Sequence, residues 1–481
     1  MLLAATFAIN SALNFVLGLM IARLLGPEQF GLYALGAALM VLIYAVAIDW
    51  LKLSTMRFYS LTKRASDPTI RATLDAMAAL SALALIGILI TAIVAGVDLM
   101  IPTAIASAAV AAGVLGGLFD YQQAVARARE EDAVYARMVI IKNAMAFLLM
   151  VGGAWWLKDP ALVLAGSALS SLAALISVRR ALADAPLALK GIDRNHVRIF
   201  ATYAFPLVAT NVLMLTIPLL NRSYMASAFG LAEAGYFALA SDIGVKLLAT
   251  LGTTLEVMLL PLAVKALDLE GIDAAHQQIA KNLTVIIASI LPVAAGLLMA
   301  LPSIEVLVVP EAFHDHVSTY MWILMPAFVA LPIMQVGFNP VYLISRKTLM
   351  STMSAVIAVA VNAVLIGLLF FGFGVSLGPL AVAAAMSAAF VSSAVVVGAG
   401  AMSHHIARPL LRDLVWIAVG LALMVAALWP WREMSPNVLT LMAQGLAGLA
   451  IYGGVMLAGD VACCRSHLMA LVRARRLSAA S

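Results

Sequence analysis

Gly26-Pro27-Glu28-Gln29-Phe30-Gly31-Leu32-Tyr33-Ala34-Leu35 interrupts an apolar stretch that begins at Leu2 and continues past residue 50. On its left, 2–24 is long and apolar enough to cross about 30 Å of hydrocarbon as a helix, and 31–53 does so again on its right. Pro27 suits the first turn of the second helix, and the glycines permit a tight reversal between the two. Barrel strands would need about ten residues of alternating polarity, and these runs of Ala, Leu and Val do not alternate. Helices are the other structure that satisfies its own backbone in lipid, so the stretch reads as two membrane helices joined by a hairpin.

The same pattern continues along the chain. Apolar segments of spanning length recur near 74–95, 101–125, 136–157, 160–178, 201–223, 235–262, 283–302, 319–345, 349–371, 377–400, 414–431 and 438–459, about fourteen spans in all. Of 481 residues 64% are hydrophobic and 11% charged, against about a quarter charged in an ordinary soluble domain. Residue 2 opens the first span without the basic flank of a cleaved signal peptide; a short cytoplasmic extension before it is the alternative.

The basic residues orient these spans. With a cytoplasmic N-terminus, the loops after even-numbered spans, together with the first turns of the spans that follow them, hold 23 of the 29 Lys and Arg residues, which predicts both termini inside. The net charge of +5 therefore belongs to topology, and no nucleic-acid partner is expected. Loops of roughly 20 residues or less leave no room for a soluble catalytic domain, so function is expected within the membrane and not as an enzyme.

A second hairpin repeats the first. Gly230-Leu231-Ala232-Glu233-Ala234-Gly235-Tyr236-Phe237-Ala238-Leu239 aligns both of its glycines and its Ala-Leu pair with 26–35. The two lie six spans apart, an even number, so they run in the same membrane direction and imply two parallel six-helix halves; two unrelated tight turns are the plainer alternative. Transporters built from such halves bind substrate between them.

The opening Asn14 to Leu35, with Ala22-Arg23-Leu24-Leu25-Gly26-Pro27-Glu28-Gln29-Phe30-Gly31-Leu32-Tyr33, resembles the oligosaccharide flippase (polysaccharide biosynthesis) family of the multidrug/oligosaccharidyl-lipid/polysaccharide (MOP) exporter superfamily. Asn221-Arg222, Phe229-Gly230 and Gly235-Tyr236 resemble that family's second signature, with Asn221 where an acid is usual. The resemblance implies an all-α polytopic membrane protein with two six-helix lobes around a central cavity, helices one, two, seven and eight lining it, and a trailing helix pair. The expected divisions are 1–195, 196–403, and 404–481, the last ending in a basic tail with Arg473, Arg475 and Arg476.

Charges inside spans are costly, about 2.5–3.5 kcal/mol or more each, so they are the candidate site residues. Asp242 and Lys246 sit at i,i+4 in span eight with Glu256 near the same face; Asp49 and Lys52 sit at i,i+3 in span two, with Arg57 beyond; span four holds Asp120, span five Lys142, and span seven Arg222. One reading has the two pairs neutralise themselves while Lys52, Arg57 and Lys142 reach to the surface. The functional reading assigns Arg222, Lys246, Lys52 and Arg23 to an anionic headgroup, and Asp242, Glu256 and Asp49 to a coupling Na+ or H+. Arg222 is the foremost candidate, having no carboxylate along its own helix.

These readings converge on a flippase that moves polyprenyl-diphosphate-linked oligosaccharide from the inner to the outer leaflet of a bacterial inner membrane by alternating access. Its expected partners are the lipid-linked oligosaccharide, membrane lipids, and the polysaccharide polymerase and chain-length machinery. Outward movement of negative charge is favoured by about 2.3 kcal/mol per charge per 100 mV. A cation-coupled multidrug exporter of the same superfamily and a membrane glycan polymerase or ligase are the alternatives. No cofactor is expected: phosphate-loop, dinucleotide and nucleophile motifs are missing from the sequence. Glu311 with His314-Asp315-His316 reads as a solvated loop before it reads as a metal site. Pro206 and Pro218 in span seven, and Pro326, Pro332, Gly337 and Pro340 in span ten, are candidate hinges or passive kinks.

Overall fold

The computed structural model describes residues 2–97, 101–183, 192–345, 349–373, 377–403 and 411–466. The basic tail with Arg473, Arg475 and Arg476 lies outside them. Among the described residues all regular structure is helical, and thirteen helices are long and apolar enough to cross a membrane. The protein is thus an all-α, multi-pass membrane protein.

The first helix, α1 (Leu2–Ala47), is 46 residues long, about 69 Å at 1.5 Å per residue and too long for a single crossing. It breaks where the sequence places the hairpin: Gly26 has φ 73° and ψ 173°, a backbone conformation essentially reserved for glycine. Next come α2 (Asp49–Phe58), α3 (Leu61–Ser66), α4 (Thr69–Val94), α5 (Thr103–Ala128), α6 (Asp132–Trp156) and α7 (Pro160–Val178). Two long helices, α8 (Arg194–Phe229) and α9 (Leu231–Glu270), meet at Gly230, where φ is 95° and ψ 165°. The two hairpin glycines therefore share one unusual backbone geometry as well as one sequence context.

Then follow α10 (Ile272–Met299), α11 (Leu301–Leu307), α12 (His316–Pro332), α13 (Asn339–Ile344), α14 (Leu349–Leu368), α15 (Leu380–Ser403), α16 (Leu411–Leu428) and α17 (Val438–Ala458). Between α12 and α13 the chain widens into a π-helical turn over Ile333–Phe338, flanked by Pro332 and Pro340. Each proline removes a backbone donor, and the wider turn lets the helix continue past them.

Contacts divide the chain into two compact units, Met1–Leu239 with Ala363–Val382, and Ala240–Asn362 with Ala383–Ser481. In the first, Ile48, Leu51, Tyr59, Leu74, Phe119, Tyr121, Met138 and Phe200 form a buried core at the α2 end. Small residues bring its helices close: Gly113 and Gly117 of α5 sit against the Met40 carbonyl and Ile48, the packing expected of glycines in membrane helices. In the second unit α9 approaches α12 through Gly244, which faces the Phe328 ring. There α10, α16 and α17 enclose Met299, Ile417, Met424, Tyr452 and Met456, and the Tyr452 hydroxyl donates to the Ala288 carbonyl at 2.8 Å. Outward faces stay apolar, with Val94 of α4 82% and Leu439 of α17 78% exposed, as a lipid-facing surface requires.

Candidate functional site

The two hairpins are packed against each other inside the first unit. A Cβ placed on Gly31 would collide with the Leu231 carbonyl and lie 3.0 Å from the Gly235 nitrogen; one placed on Gly235 would collide with the Pro27 carbonyl and lie 3.2 Å from the Gly31 nitrogen. Gly31 and Gly235 are equivalent positions of the repeat, as are Pro27 and Leu231, so the contact is reciprocal, as in a two-fold interface. Ala34, Leu35, Ala238 and Leu239 beside it are all buried. The repeated glycines thus serve two purposes, one pair turning the chain and the other letting the backbones touch.

Arg222 lies at this joint. It is 7% exposed, and its Nη1 donates to the Ala34 carbonyl at 3.2 Å. Its neighbour Asn221 is fully buried and donates to the Ile217 carbonyl one turn earlier. Arg23, before the first hairpin, is exposed.

About 30 Å away along the second arm of α1, the polar character changes. The Lys52 ammonium pairs with Asp49 at 2.9 Å, and the other Asp49 oxygen accepts a hydrogen bond from Asn211 of α8 at 3.1 Å. Lys52 also borders a cavity of about 200 Å3 between α2 and α5, lined by Lys52, Met56, Asp120, Gln123, Ala124 and Arg127. Arg127 is exposed and stands over the Tyr135 ring, donating to its hydroxyl at 2.9 Å. Lys142 is covered by the Phe119 face, 4.2 Å from the ring centre.

Below this lies a second, closed network. Arg71, 5% exposed, pairs with Asp75 at 2.8 Å and donates to Gln122 at 3.0 Å, while the Tyr121 hydroxyl donates to Asp75 at 2.7 Å. Arg129, 4% exposed, donates to the Tyr59 hydroxyl and to the carbonyls of Ala181 and Leu182. Arg71 and Arg129 have both surrendered their solvent contacts to protein, so they hold α4, α5 and the segment after α7 together. At the adjoining surface His196 of α8 lies 3.4 Å from Asp67 and 3.3 Å from Asp193, its ring stacked on Phe200. The Thr69 side chain and amide donate to Asp67 and hold its carboxyl below the usual aspartate range.

The second unit arranges its candidates differently. Asp242 is half-buried on α9, whereas Lys246 one turn on and Glu256 further along are exposed. Among the described residues no group of three or more His, Cys, Asp and Glu side chains is placed to hold a metal. The His314 ring instead meets the Val309 carbonyl at 3.0 Å.

Asp49 and Lys52 were legible as a pair from their spacing, and the structure brings Asn211 to them. The polar face of α5 was legible only at Asp120, although Gln123 and Arg127 follow it at i+3 and i+7, a one-sided stripe on an otherwise apolar helix. Arg71 and Asp75 carry an i,i+4 signal hidden by their position at the start of a span, where charges are ordinary. For Arg129 the one local partner is Glu131, 3.8 Å away, while the groups that bury it, Tyr59 and the carbonyls of Ala181 and Leu182, lie 70 residues earlier and 52 and 53 later.

The overall helical fold is similar to that of solved structures of MOP superfamily transporters. A structure of the lipid II flippase MurJ in an inward closed conformation matches with TM-score 0.74 at 13% identity, over 95% of this chain and 98% of that one. An inward-facing multidrug resistance MATE family transporter of the same superfamily matches with TM-score 0.62 at 13% identity, over 82% and 94%. A MOP superfamily transporter from Pyrococcus furiosus matches with TM-score 0.51 at 13% identity, over 83% and 92%. No family model matches the sequence, and no curated protein matches it.

Proposed function

We propose that the protein is an inner-membrane flippase of the MOP fold that carries polyprenyl-diphosphate-linked oligosaccharide from the cytoplasmic to the outer leaflet. The observation that carries this reading is the asymmetry of the first unit. One end is closed by backbone contact between the hairpins; the other, at the basic and therefore cytoplasmic loops, is polar and opens on a cavity bordered by Lys52 and Arg127. An amphiphile with an anionic head needs cations at its point of loading and apolar surface for its tail. The whole-chain likeness to a lipid II flippase supports the same reading.

In this mechanism Lys52 of the first unit is the cation that meets the diphosphate, and Lys246 of the second and Arg23 before the first hairpin are each further candidates for the anionic headgroup. Arg222 is held by the Ala34 carbonyl while the outer joint is closed and turns to the anion when the joint opens. Asp49, Asp242 and Glu256 are the candidates for a coupling Na+ or H+. Polysaccharide polymerase and chain-length proteins are the partners expected downstream.

Proteoliposomes loaded with a labelled lipid-linked oligosaccharide test the reading. Translocation above protein-free vesicles is expected, and its absence refutes it. The likeness to a MATE transporter supports a second reading, a cation-coupled exporter. Ion-driven efflux of a cationic dye, with no movement of the lipid-linked sugar, selects that one instead.

A further inference from the structure

The cavity between α2 and α5 has a composition that packing alone does not require. Lys52 and Met56 stand one turn apart on α2; Asp120, Gln123, Ala124 and Arg127 follow i, i+3, i+4, i+7 on α5 and so share one helix face. Two cations, one carboxylate and one carboxamide therefore line the cavity together with buried Ala124 and with Met56, which is exposed. Arg127 ends the stripe in the last turn of α5, where a cation is ordinary, but Asp120 lies two turns inside the helix, where a charge faces a water-filled cavity or a ligand and so marks a candidate site.

Its size restricts that occupant. About 200 Å3 falls below the 300–1,000 Å3 of sites that enclose a whole small molecule. A fragment of a larger ligand fits, with the remainder outside.

Charge narrows the choice further. Asp49 is already engaged by Lys52 and Asn211, and Lys142 lies near enough to Asp120 for the two charges to interact. Counting Lys52, Arg127 and Lys142 against Asp49 and Asp120 leaves one positive charge uncompensated in the cluster. Arg127 is held by Tyr135 through one Nη atom, so the rest of its planar fork has no hydrogen-bond partner among the described residues and suits a phosphate oxygen pair. Asp120 and Gln123 supply the acceptors and donors that sugar hydroxyls require.

We infer that this cavity is a loading subsite for the diphosphate and first sugar of a polyprenyl-linked glycan, with Lys52 and Arg127 on the phosphates and Asp120 and Gln123 on the sugar. The inference rests on the flippase reading for its ligand class. It adds Arg127, Asp120 and Gln123 as recognition residues and divides recognition between a phosphate wall and a sugar wall.

The test is binding to the purified full-length protein in detergent, without any transport step. The probes are a short-chain polyprenyl diphosphate and its N-acetylglucosamine conjugate, with inorganic pyrophosphate and phosphatidylglycerol as competitors. Lys52→Gln and Arg127→Gln are each expected to weaken both probes about tenfold, the scale of one lost charge-assisted hydrogen bond. Arg127→Lys recovers part of the loss, and Asp120→Asn weakens the sugar conjugate alone.

Pyrophosphate is expected to compete and phosphatidylglycerol to fail. Equal competition by phosphatidylglycerol identifies bulk anionic lipid as the occupant and overturns the inference, as does unchanged binding in both glutamine variants. Should Lys52→Gln fail to fold through loss of its Asp49 pair, Arg127→Gln and Gln123→Ala carry the test from the other wall. Unchanged probe binding with intact vesicle translocation removes the subsite and leaves the flippase; probe binding that depends on Arg127 without translocation does the reverse.

Discussion

The two ends of the first unit are built from opposite materials. At the hairpins, Gly31 and Gly235 bring backbone against backbone among buried Ala34, Leu35, Ala238 and Leu239, with a single guanidinium, Arg222, anchored on a carbonyl. At the α2 end, Arg71, Asp75, Tyr121, Gln122 and Arg129 knit the helices by charge and hydroxyl, and Lys52, Asp120 and Arg127 border a cavity. The hairpin contact carries one directional bond, Arg222 to the Ala34 carbonyl, and otherwise separates as a surface, whereas buried ionic networks are costly to leave half-made. The hairpin joint is thus suited to open and close, and the charged end to stay assembled while a ligand enters beside it.

The largest expected effect comes from destroying the movable end. Gly31→Leu or Gly235→Leu drives a side chain into the opposing carbonyl, so the joint cannot close and transport should fall at least tenfold while the protein remains inserted. Disulfide trapping between cysteines introduced at Pro27 and Leu231, in a Cys463→Ser, Cys464→Ser background, should be efficient in the parent and lost in either glycine variant.

At the rigid end Asp75→Asn removes the charge opposite a buried guanidinium and leaves one acceptor oxygen where Arg71 and Tyr121 used two. A loss of about 3 kcal/mol is expected from the behaviour of broken buried pairs, read as a lowered unfolding midpoint in detergent. A midpoint unchanged by that substitution would remove the contrast between the ends. Smaller, and equal at the two hairpins, should be Gly26→Ala and Gly230→Ala, each forcing a Cβ into positive φ at a cost of about 1–3 kcal/mol. Unequal losses would show that the repeats do not share a function at their turns.

Lys246→Gln, on an exposed side chain of α9, should change stability by less than about 0.5 kcal/mol while lowering transport of the anionic lipid. The smallest effect is pH-dependent. Because Asp67 is held below its ordinary range by Thr69, its contribution is fully present above the unfolded value of about 3.9 and is lost as pH falls through the lowered folded one. Asp67→Asn should flatten the acid limb of amide-exchange protection at Thr69 and Ile70.

The membrane helices and both hairpins were legible because hydropathy and the Gly/Pro pattern are local signals. The break in α1 falls on Gly26, inside the segment whose composition announced it. Contacts were not legible. The repeat showed that 26–35 and 230–239 correspond, but not that they touch, and nothing near Arg222 points to a carbonyl 188 residues away. Arg71 and Arg129 counted only as cytoplasmic charge, since a sequence shows how many basic residues flank a span but not which of them fold inward. The π-helical turn at Ile333–Phe338 was foreshadowed by Pro332 and Pro340 as an interruption, without its form.

The reciprocity of the glycine contact has a historical meaning. A shorter ancestral chain that paired with an identical copy would make this contact once at each of two equivalent places, and joining the copies end to end would preserve both while freeing each to diverge. The two sides then inherit a shared constraint, since bulk gained by one must be relieved by the other. Descendants of such a fusion should change these positions in concert, and the pairing of their changes would record the symmetry long after the surrounding sequence had lost it.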